Sequence, residues 1–375
     1  MAGIYVHIPF CRKACHYCNF HFSTSFKIKD QVLAALVREV GMRSGYLEGV
    51  KVETIYLGGG TPSVLTEKEL NLILSEIYRH HVVADEVEIT LEANPDDIDA
   101  QMLVAWRTAG INRLSIGVQG FQEDMLIKWN RSHQAAQGMA SLLLAKEKGF
   151  DNISADLIYG DPILIDASWI DNVETLIRLD IPHISSYALT VETNTALHHQ
   201  IEKGKVQPMD DEQSLRQYRL LQELLLANGY DQYEISNFSK PGYVSRHNAS
   251  YWSGAPYLGI GPSAHSYNRL SRQWNVSNNP KYVHAIESNL IPCEIESLTP
   301  EKRYNELVMT GLRTADGIDT IRIHALGETF VSFLHIQIKK YMDEGKIKLL
   351  ENRYYVLSRD QYFFADGIAA DLFWG

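Results

Sequence analysis

The stretch Ile4-Tyr-Val-His-Ile-Pro-Phe10 runs directly into Cys11-Arg-Lys-Ala-Cys15-His-Tyr-Cys18. Three of the four cysteines of the chain lie here at C-x3-C-x2-C spacing, just after an apolar run that predicts a strand. Thiolates this close in sequence can converge on one soft metal centre. An iron-sulfur cube bound by three cysteines keeps one iron open for another ligand. The spacing therefore favours an iron-sulfur site in the loop after the first strand.

A structural zinc site is the alternative, with His7, His16 or His21 as the fourth ligand. Zinc sites usually combine two short clusters of ligands, and this sequence has no second cluster. Disulfides fit less well, because Cys293 lies far away in sequence and four cysteines in 375 residues would cross-link little. From spacing alone, zinc stays open as the alternative.

Composition places the chain among ordinary globular proteins of two or three domains. Hydrophobic residues make up 45% and charged residues 22% of the 375 residues. The net charge of -11 argues against a nucleic-acid partner, which requires a basic surface. The N-terminal residues lack the basic region and cleavage site of a signal peptide, and no apolar run reaches the length of a membrane span. We therefore expect a cytoplasmic protein.

From residue 2 to about residue 190, β-rich runs alternate with segments of helical period. The predicted strands cover 3–8, 52–57, 87–93, 113–118, 153–159 and 183–189, and the predicted helices cover 30–43, 66–80, 97–108, 134–148 and 168–179. Such a series of units implies a parallel sheet with right-handed crossovers. A doubly wound open sheet and a barrel or part-barrel both satisfy this pattern.

The residues that follow each predicted strand distinguish the two architectures. After the cysteines come Gly58-Gly59-Gly60-Thr61 at the second strand, then Glu92, Gln119, Asp156 and Ala188 at the next four. Barrel enzymes build one site at this face from many strands, whereas an open sheet concentrates ligand contacts at one switch point. The sequence therefore predicts an α/β fold, a partial (β/α)6 barrel of the TIM type with one site at its rim.

The rest of the chain has a different character. A strong amphipathic helix is predicted over 210–228, and the region 236–279 is rich in aromatic, glycine and small polar residues, typical of a segment that covers something. Helices over 300–312, 319–326 and 330–344 and a hairpin with strands 346–350 and 354–357 predict a winged-helix-like α+β module. We predict three domains, a barrel over 1–235, a loop-rich covering region over 236–298 and the C-terminal module over 299–375.

Four motifs in this order carry a family resemblance. They are the cysteine motif, Tyr-Leu-Gly-Gly-Gly-Thr-Pro-Ser over 56–63, Leu-Glu-Ala-Asn-Pro over 91–95 and Gly-Val-Gln-Gly-Phe over 117–121. The set resembles the radical S-adenosylmethionine (SAM) superfamily. Within it, the chain is most similar to the group of oxygen-independent coproporphyrinogen III dehydrogenases and heme chaperones. The resemblance spans essentially the whole chain, including the C-terminal module.

The resemblance implies a [4Fe-4S] cluster and SAM as cofactors. Cys11, Cys15 and Cys18 would bind the cluster. The residues that the resemblance assigns to SAM are Tyr5, Tyr17, Gly59, Gly60, Thr61, Glu92, Gln119, Arg131, Asp156 and Ala188. Their chemistry suits these roles, because a guanidinium pairs with a carboxylate and a carboxylate pairs with a ribose diol. A reductant for the cluster is implied as a partner.

Three features favour the heme chaperone branch over the dehydrogenases. The dehydrogenases resemble C-x3-C-x2-C-x-C, but Phe20 stands at the position of the extra cysteine. They also carry a substantial segment before the motif, whereas here the first cysteine is residue 11. The hexapeptide His-Asn-Ala-Ser-Tyr-Trp over 247–252 matches the H-N-x-x-Y-W pattern of the heme chaperones.

We therefore expect a heme chaperone in which His247, Tyr251 and Trp252 contact heme. Imidazole is a common axial ligand of heme iron, and Tyr and Trp offer flat surface to a porphyrin. The expected partners are heme and client hemoproteins, including membrane-bound respiratory enzymes, reached from the cytoplasm or from its membrane face. The alternative is an enzymatic function, the radical oxidative decarboxylation of coproporphyrinogen III. The chain is expected to be a monomer or a homodimer.

Overall fold

Six parallel strands form the centre of the fold in a computed structural model that describes all residues, 1–375. They are β1 (Ala2–Ile8), β2 (Val52–Gly59), β3 (Val83–Ala93), β4 (Arg113–Gln119), β5 (Ile153–Tyr159) and β6 (His183–Ala188), hydrogen-bonded in chain order. All six predicted strands are confirmed. The largest difference is at β3, whose polar first half, Val-Ala-Asp-Glu, hides its start from the hydrophobic pattern.

Helices cover the outer face of these strands. They are α1 (Lys29–Met42), α2 (Glu67–His80), α3 (Ala100–Thr108), α4 (Glu123–Lys128), α5 (Ala135–Glu147) and α6 (Asp166–Arg178). At the start of α2 the Thr66 side chain accepts from the Glu69 amide, and the Glu69 carboxylate accepts from the Thr66 amide. This is the capping box that the sequence predicts. None of the helices combines the length and the apolar character that crossing a bilayer requires.

The sheet does not close into a full barrel, because further strands extend both of its edges. The chain continues with α7 (Ala196–Glu202), α8 (Asp211–Ala227), β7 (Asp231–Glu234), β8 (Asn237–Ser239), α9 (Arg246–Ser253), β9 (Tyr257–Ile260), β10 (His265–Tyr267), β11 (Ser271–Asn275), α10 (Asn279–Glu287) and β12 (Cys293–Ser297). The strand order is β12-β11-β10-β9-β1-β2-β3-β4-β5-β6-β8-β7. The region predicted to be loop-rich therefore contains most of the added strands, and the partial barrel is confirmed.

The C-terminal module packs four helices against a small sheet. Its elements are α11 (Pro300–Leu312), β13 (Ile318–Asp319), α12 (Thr320–His324), α13 (Glu328–Asp343), β14 (Ile347–Leu350), β15 (Tyr354–Leu357) and α14 (Ala365–Asp371), with sheet order β13-β15-β14. In the hairpin turn, Glu351 and Asn352 both have φ of 52°, the conformation that matches the twist of two antiparallel strands. This winged-helix-like arrangement agrees with the predicted one.

A buried carboxylate joins the barrel to the region that follows it. Glu39 of α1 has no exposed surface, and its Oε2 accepts hydrogen bonds from the Tyr282 hydroxyl at 2.7 Å and the Gly261 amide at 2.8 Å. Its Oε1 accepts from Asn275 Nδ2 at 2.8 Å, and Arg43 lies 3.6 Å away. Burial raises the pKa of Glu39. One side chain thus connects α1 with α10, β11 and the loop after β9.

Replacing this carboxylate tests how strongly the two regions are coupled. We expect Glu39→Ala to lower the free energy of unfolding by about 3 kcal/mol, because the buried donors of Tyr282 and Asn275 lose their acceptor. Urea unfolding followed by circular dichroism measures the change. Glu223→Ala, on the exposed face of α8, is the control and should change it by less than about 0.5 kcal/mol. Equal stability of the two variants would show that the network contributes nothing.

Candidate functional site

The interior of the partial barrel is lined by polar side chains. Side chains alternate between the two faces of a strand, so every second residue points inward. The strand register aligns Tyr5 with Tyr56, Asp156 with Ser185 and Glu92 with Ser115. Ionisable groups from different strands therefore meet in one lumen, close to the C-terminal ends of the strands.

At these strand ends lies a cavity of about 380 Å³. Most of the residues that the sequence predicts for the cluster and SAM line it, namely Cys11, Cys15, Cys18, Tyr17, Gly59, Gly60, Thr61, Glu92, Gln119, Arg131, Asp156 and Ala188. They come from the ends of all six barrel strands and the loops that follow. The fold therefore brings these residues together on one continuous surface.

The three cysteines sit in the loop between β1 and α1, and two of them accept hydrogen bonds. The Thr61 hydroxyl donates to Cys11 Sγ at 3.2 Å, and Arg131 Nη1 donates to Cys15 Sγ at 3.3 Å. Donors to sulfur and a nearby positive charge stabilise thiolates and tune the potential of a bound cluster. Burial raises the pKa of Cys11 to about 12 and that of Cys18 to about 11. Metal ligation is what would deprotonate these thiols.

Geometry separates the cluster from the zinc alternative. A tetrahedral zinc ion with bonds of about 2.0–2.3 Å needs its ligand atoms within about 4 Å of one another. The only group of three His, Cys, Asp or Glu ligand atoms within 4.8 Å of one another is His198, His199 and Glu202, on α7. The three cysteine sulfurs do not form such a compact group. The donor set fits a three-cysteine cluster, and His16 and His21 bond elsewhere, to Lys128 and Asn279.

Arg131 is fixed beside the cysteines by hydrogen bonds to backbone and side chain. Its Nη2 donates to Asn94 Oδ1 at 2.8 Å and to the Gly117 carbonyl at 2.7 Å, while Nη1 faces Cys15 and the Tyr17 hydroxyl. Its Nε is buried without a partner. A rigid cation that lines the cavity suits a bound carboxylate. The sequence pattern did not single out Asn94, although it follows Glu92 in the same Leu-Glu-Ala-Asn-Pro motif.

The glycine loop after β2 is shaped by its contact with the cysteine loop. Gly59 has φ of +105°, a conformation that other residues adopt only with strain. A Cβ on Gly60 would lie 2.7 Å from the Ile8 carbonyl and 2.8 Å from the Phe10 amide. A side chain there would push away the backbone that leads into Cys11. The Gly-Gly sequence thus lets the two loops touch.

Two inward-facing carboxyl groups lie deeper in the lumen. Glu92 Oε1 accepts from the Tyr56 hydroxyl at 2.8 Å and Oε2 accepts from the Gly59 amide at 3.1 Å. Burial, reinforced by the charge of Asp156, raises the pKa of Glu92 to about 7. Burial likewise raises the pKa of Asp156 to about 6, which the nearby buried guanidinium of Arg113 partly offsets. Both groups therefore titrate close to neutral pH.

His247 lies inside the barrel rather than at its surface. Only 1% of it is exposed, and both ring nitrogens have partners, Nδ1 with the Thr54 hydroxyl at 2.8 Å and Nε2 with the Tyr251 hydroxyl at 2.9 Å. Its ring stacks on Tyr56 at 5.0 Å and on Tyr5 at 6.5 Å. In this arrangement His247 has no free nitrogen for iron, and its contacts hold Tyr251 in place.

Tyr251 and Trp252 instead line a second cavity of about 800 Å³. It lies where β9 and β10, the end of α9 and the helices α11 and α12 of the C-terminal module meet. Tyr5 also borders this second cavity rather than the first. Phe20 borders both cavities, so the two spaces are neighbours. The sequence pattern did not reveal this cavity, because the residues that form it are distant in sequence.

Comparison with known proteins agrees with this geometry. The model of the radical SAM superfamily matches residues 5–182, and that of the HemN C-terminal domain matches residues 298–359. The chain is similar to the solved structure of coproporphyrinogen III oxidase HemN from Escherichia coli, a radical SAM enzyme, with a TM-score of 0.86, covering 99% of this chain and 89% of that one. At 22% identity this likeness supports the fold alone.

Two curated relatives define the family more closely. The chain is 35% identical to the heme chaperone HemW of Bacillus subtilis, over 95% of this chain and 95% of the relative. It is 33% identical to the heme chaperone HemW of Mycobacterium tuberculosis, over 86% of this chain and 84% of the relative. These similarities extend across the barrel and well beyond it. The chain therefore belongs to the heme chaperone HemW family within the radical SAM superfamily.

Proposed function

We propose that this protein is a heme chaperone that binds heme on a radical SAM scaffold and delivers it to client hemoproteins. The observation that carries the proposal is the position of Tyr251 and Trp252, from the H-N-x-x-Y-W motif, on the wall of the second cavity. Aromatic walls of this kind suit a porphyrin ring. The names of relatives that cover nearly the whole chain support the same function.

The first cavity fits the cofactors that the family uses. Cys11, Cys15 and Cys18 would hold a [4Fe-4S] cluster, which when bound supplies electrons and an open iron for the amine and carboxylate of SAM. Arg131 would orient the SAM carboxylate, and Glu92 would accept a ribose hydroxyl. Tyr17, Gly59, Gly60, Thr61, Gln119, Asp156 and Ala188 complete the wall that would exclude water around SAM.

The enzymatic alternative, oxidative decarboxylation of coproporphyrinogen III, is favoured only by the fold shared with HemN. Against it, Phe20 occupies the position of an additional cysteine. We also propose that the protein is cytoplasmic, that a cellular reductant supplies its cluster and that it serves clients near the cytoplasmic membrane. It would act as a monomer or a dimer.

The test of the proposed function is anaerobic reconstitution of the full chain, followed by heme titration and transfer to an apo-hemoprotein. We expect stoichiometric heme binding and transfer, with no carbon dioxide released from coproporphyrinogen III in the presence of SAM and reductant. Decarboxylation of the porphyrinogen without heme transfer would overturn the chaperone proposal in favour of the enzyme.

The four cysteines allow a matched test of the cluster. We expect alanine at Cys11, Cys15 or Cys18 to abolish iron and sulfide incorporation on reconstitution, because a cubane with fewer than three protein thiolates is not retained. Cys293→Ala is the control, since Cys293 is also partly buried but lies on β12 away from the cavity. Iron and acid-labile sulfide analysis measures the outcome. Loss of the cluster in the control variant as well would contradict the assignment.

The raised pKa of Glu92 predicts a pH-dependent affinity for SAM. A carboxylate accepts a ribose hydroxyl better than a carboxylic acid does, so affinity should fall as the pH drops below about 7, approaching tenfold per pH unit. Above pH 7 it should level off. Equilibrium dialysis of labelled SAM between pH 6 and pH 8.5 measures this.

Two substitutions control that experiment. Glu92→Gln should bind SAM more weakly and lose the pH dependence. Glu192→Gln, also at the cavity but exposed to solvent, should retain it. An unchanged pH profile in Glu92→Gln would mean that another group titrates.

A further inference from the structure

The second cavity is strongly cationic in a chain that is acidic as a whole. The cavity is lined by four arginines and one glutamate, Arg269, Arg272, Arg303, Arg322 and Glu306. The chain as a whole, in contrast, carries a net charge of -11. A concentration of positive charge in a concave site attracts anions. The ligand of this cavity should therefore be an anion with more than one negative charge.

Most of these arginines are not engaged with acidic residues. Arg272 is paired with Glu306 at 3.0 Å, but Arg269, Arg303 and Arg322 form no ion pair. Arg322 lies against the C-terminal end of α9, where its Nη2 would be 2.7 Å from a Cβ placed on Gly254. Its free guanidinium thus adjoins the helix that carries Tyr251 and Trp252. Guanidinium groups without an acidic partner are suited to bidentate binding of carboxylates.

The sheet beside the arginines presents an aromatic surface with one available imidazole. His265 on β10 stands opposite Trp274, and Tyr267 opposite Arg272, so these side chains share a face of the sheet. His265 is exposed, stacks on Trp274 at 6.1 Å and forms no side-chain hydrogen bond. Its ring nitrogens are therefore free to coordinate a metal ion.

The other histidines near this cavity are engaged. His7 Nε2 bonds to the His21 carbonyl at 2.8 Å, and its Nδ1 faces the Tyr5 hydroxyl at 3.3 Å. Both nitrogens of His247 are likewise occupied by Thr54 and Tyr251. His265 alone among them combines exposure with two free nitrogens.

The geometry points to this cavity as the heme site, with His265 as axial ligand of the iron and with Arg303 and Arg322 binding the two propionates. The inference rests on the proposed heme function and names the residues that perform it. A flat ring would lie against Tyr251, Trp252 and Tyr267, within the 300–1,000 Å³ that small-molecule sites occupy. His247 then contributes as a positioning residue, because it holds the Tyr251 hydroxyl.

Titration of the reconstituted full chain with heme and with heme dimethyl ester tests the propionate contacts. We expect the double variant Arg303→Ala/Arg322→Ala to bind heme about 100-fold more weakly, roughly tenfold for each lost charge-assisted contact. Its affinity for the dimethyl ester, which lacks both carboxylates, should change little. Arg219→Ala, an exposed arginine of α8, should leave both affinities unchanged. Equal weakening for heme and ester would refute the propionate contacts.

Absorption spectroscopy of the bound heme tests the axial ligand. We expect His265→Ala to shift the Soret band and to weaken heme binding about tenfold while the preference over the dimethyl ester remains. His284→Ala, on the exposed face of α10, is the matched control. A spectrum unchanged in His265→Ala but altered in His247→Ala would overturn the assignment of the ligand.

The same measurements separate the failure of this site from the failure of the proposed function. If the parent chain binds and transfers heme but all cavity variants behave like the parent, heme binds elsewhere and the chaperone function stands. If the parent chain neither binds nor transfers heme, the chaperone function itself is wrong. Circular dichroism and thermal unfolding of each variant establish that it is folded.

Discussion

The arrangement of inward-facing side chains in the partial barrel controls the rest of the structure. Six strands in register place Glu92, Asp156 and Arg113 in one lumen with little access to water, and the guanidinium of Arg131 joins them from the segment after α4. Burying charged groups is costly unless they find opposite charges or hydrogen-bond partners. Part of this cost is relieved by Tyr56, Ser115 and Asn94. Glu92, Asp156 and Arg131 line the first cavity, where a ligand with an amine, a carboxylate and a diol would supply further partners.

The cysteine loop depends on the same strands, because it is held between them and their neighbours. Gly60 lets the second loop approach the backbone at Ile8 and Phe10, and Thr61 and Arg131 then reach Cys11 and Cys15. The His16 amide donates to the Trp129 carbonyl, which attaches the loop to the segment after α4. The position of the three cysteines is therefore set by contacts from the loop after β2 and the segment after α4, which hold them more rigidly than a loop of this length could alone.

Much of the barrel was predictable, because its strands are short apolar runs and its site residues follow them directly. The strands β9 to β12 were not, since segments such as Ser-Arg-Gln-Trp-Asn lack alternation and become strands only by pairing with distant partners. The hexapeptide predicted Tyr251 and Trp252 as binding residues. No local pattern in the sequence shows that the Thr54 hydroxyl forms a hydrogen bond with His247 Nδ1. Arg272, Arg303 and Arg322 come from separate elements, so their convergence is a property of the fold. A single sequence contains no signal for it.

Phe20 lies between the two cavities. This residue is 67% exposed and borders both the first cavity and the second cavity. The Tyr5 and Tyr56 rings, stacked at 6.0 Å, form a second wall between the same spaces. A cysteine at position 20 would be small and reactive, whereas phenylalanine adds apolar surface to both cavities. Phe20, which stands where the dehydrogenase pattern has a further cysteine, therefore lies where the two cavities adjoin. It would enlarge the flat apolar surface available to a porphyrin ring, while the proposed cluster would be held by Cys11, Cys15 and Cys18 alone.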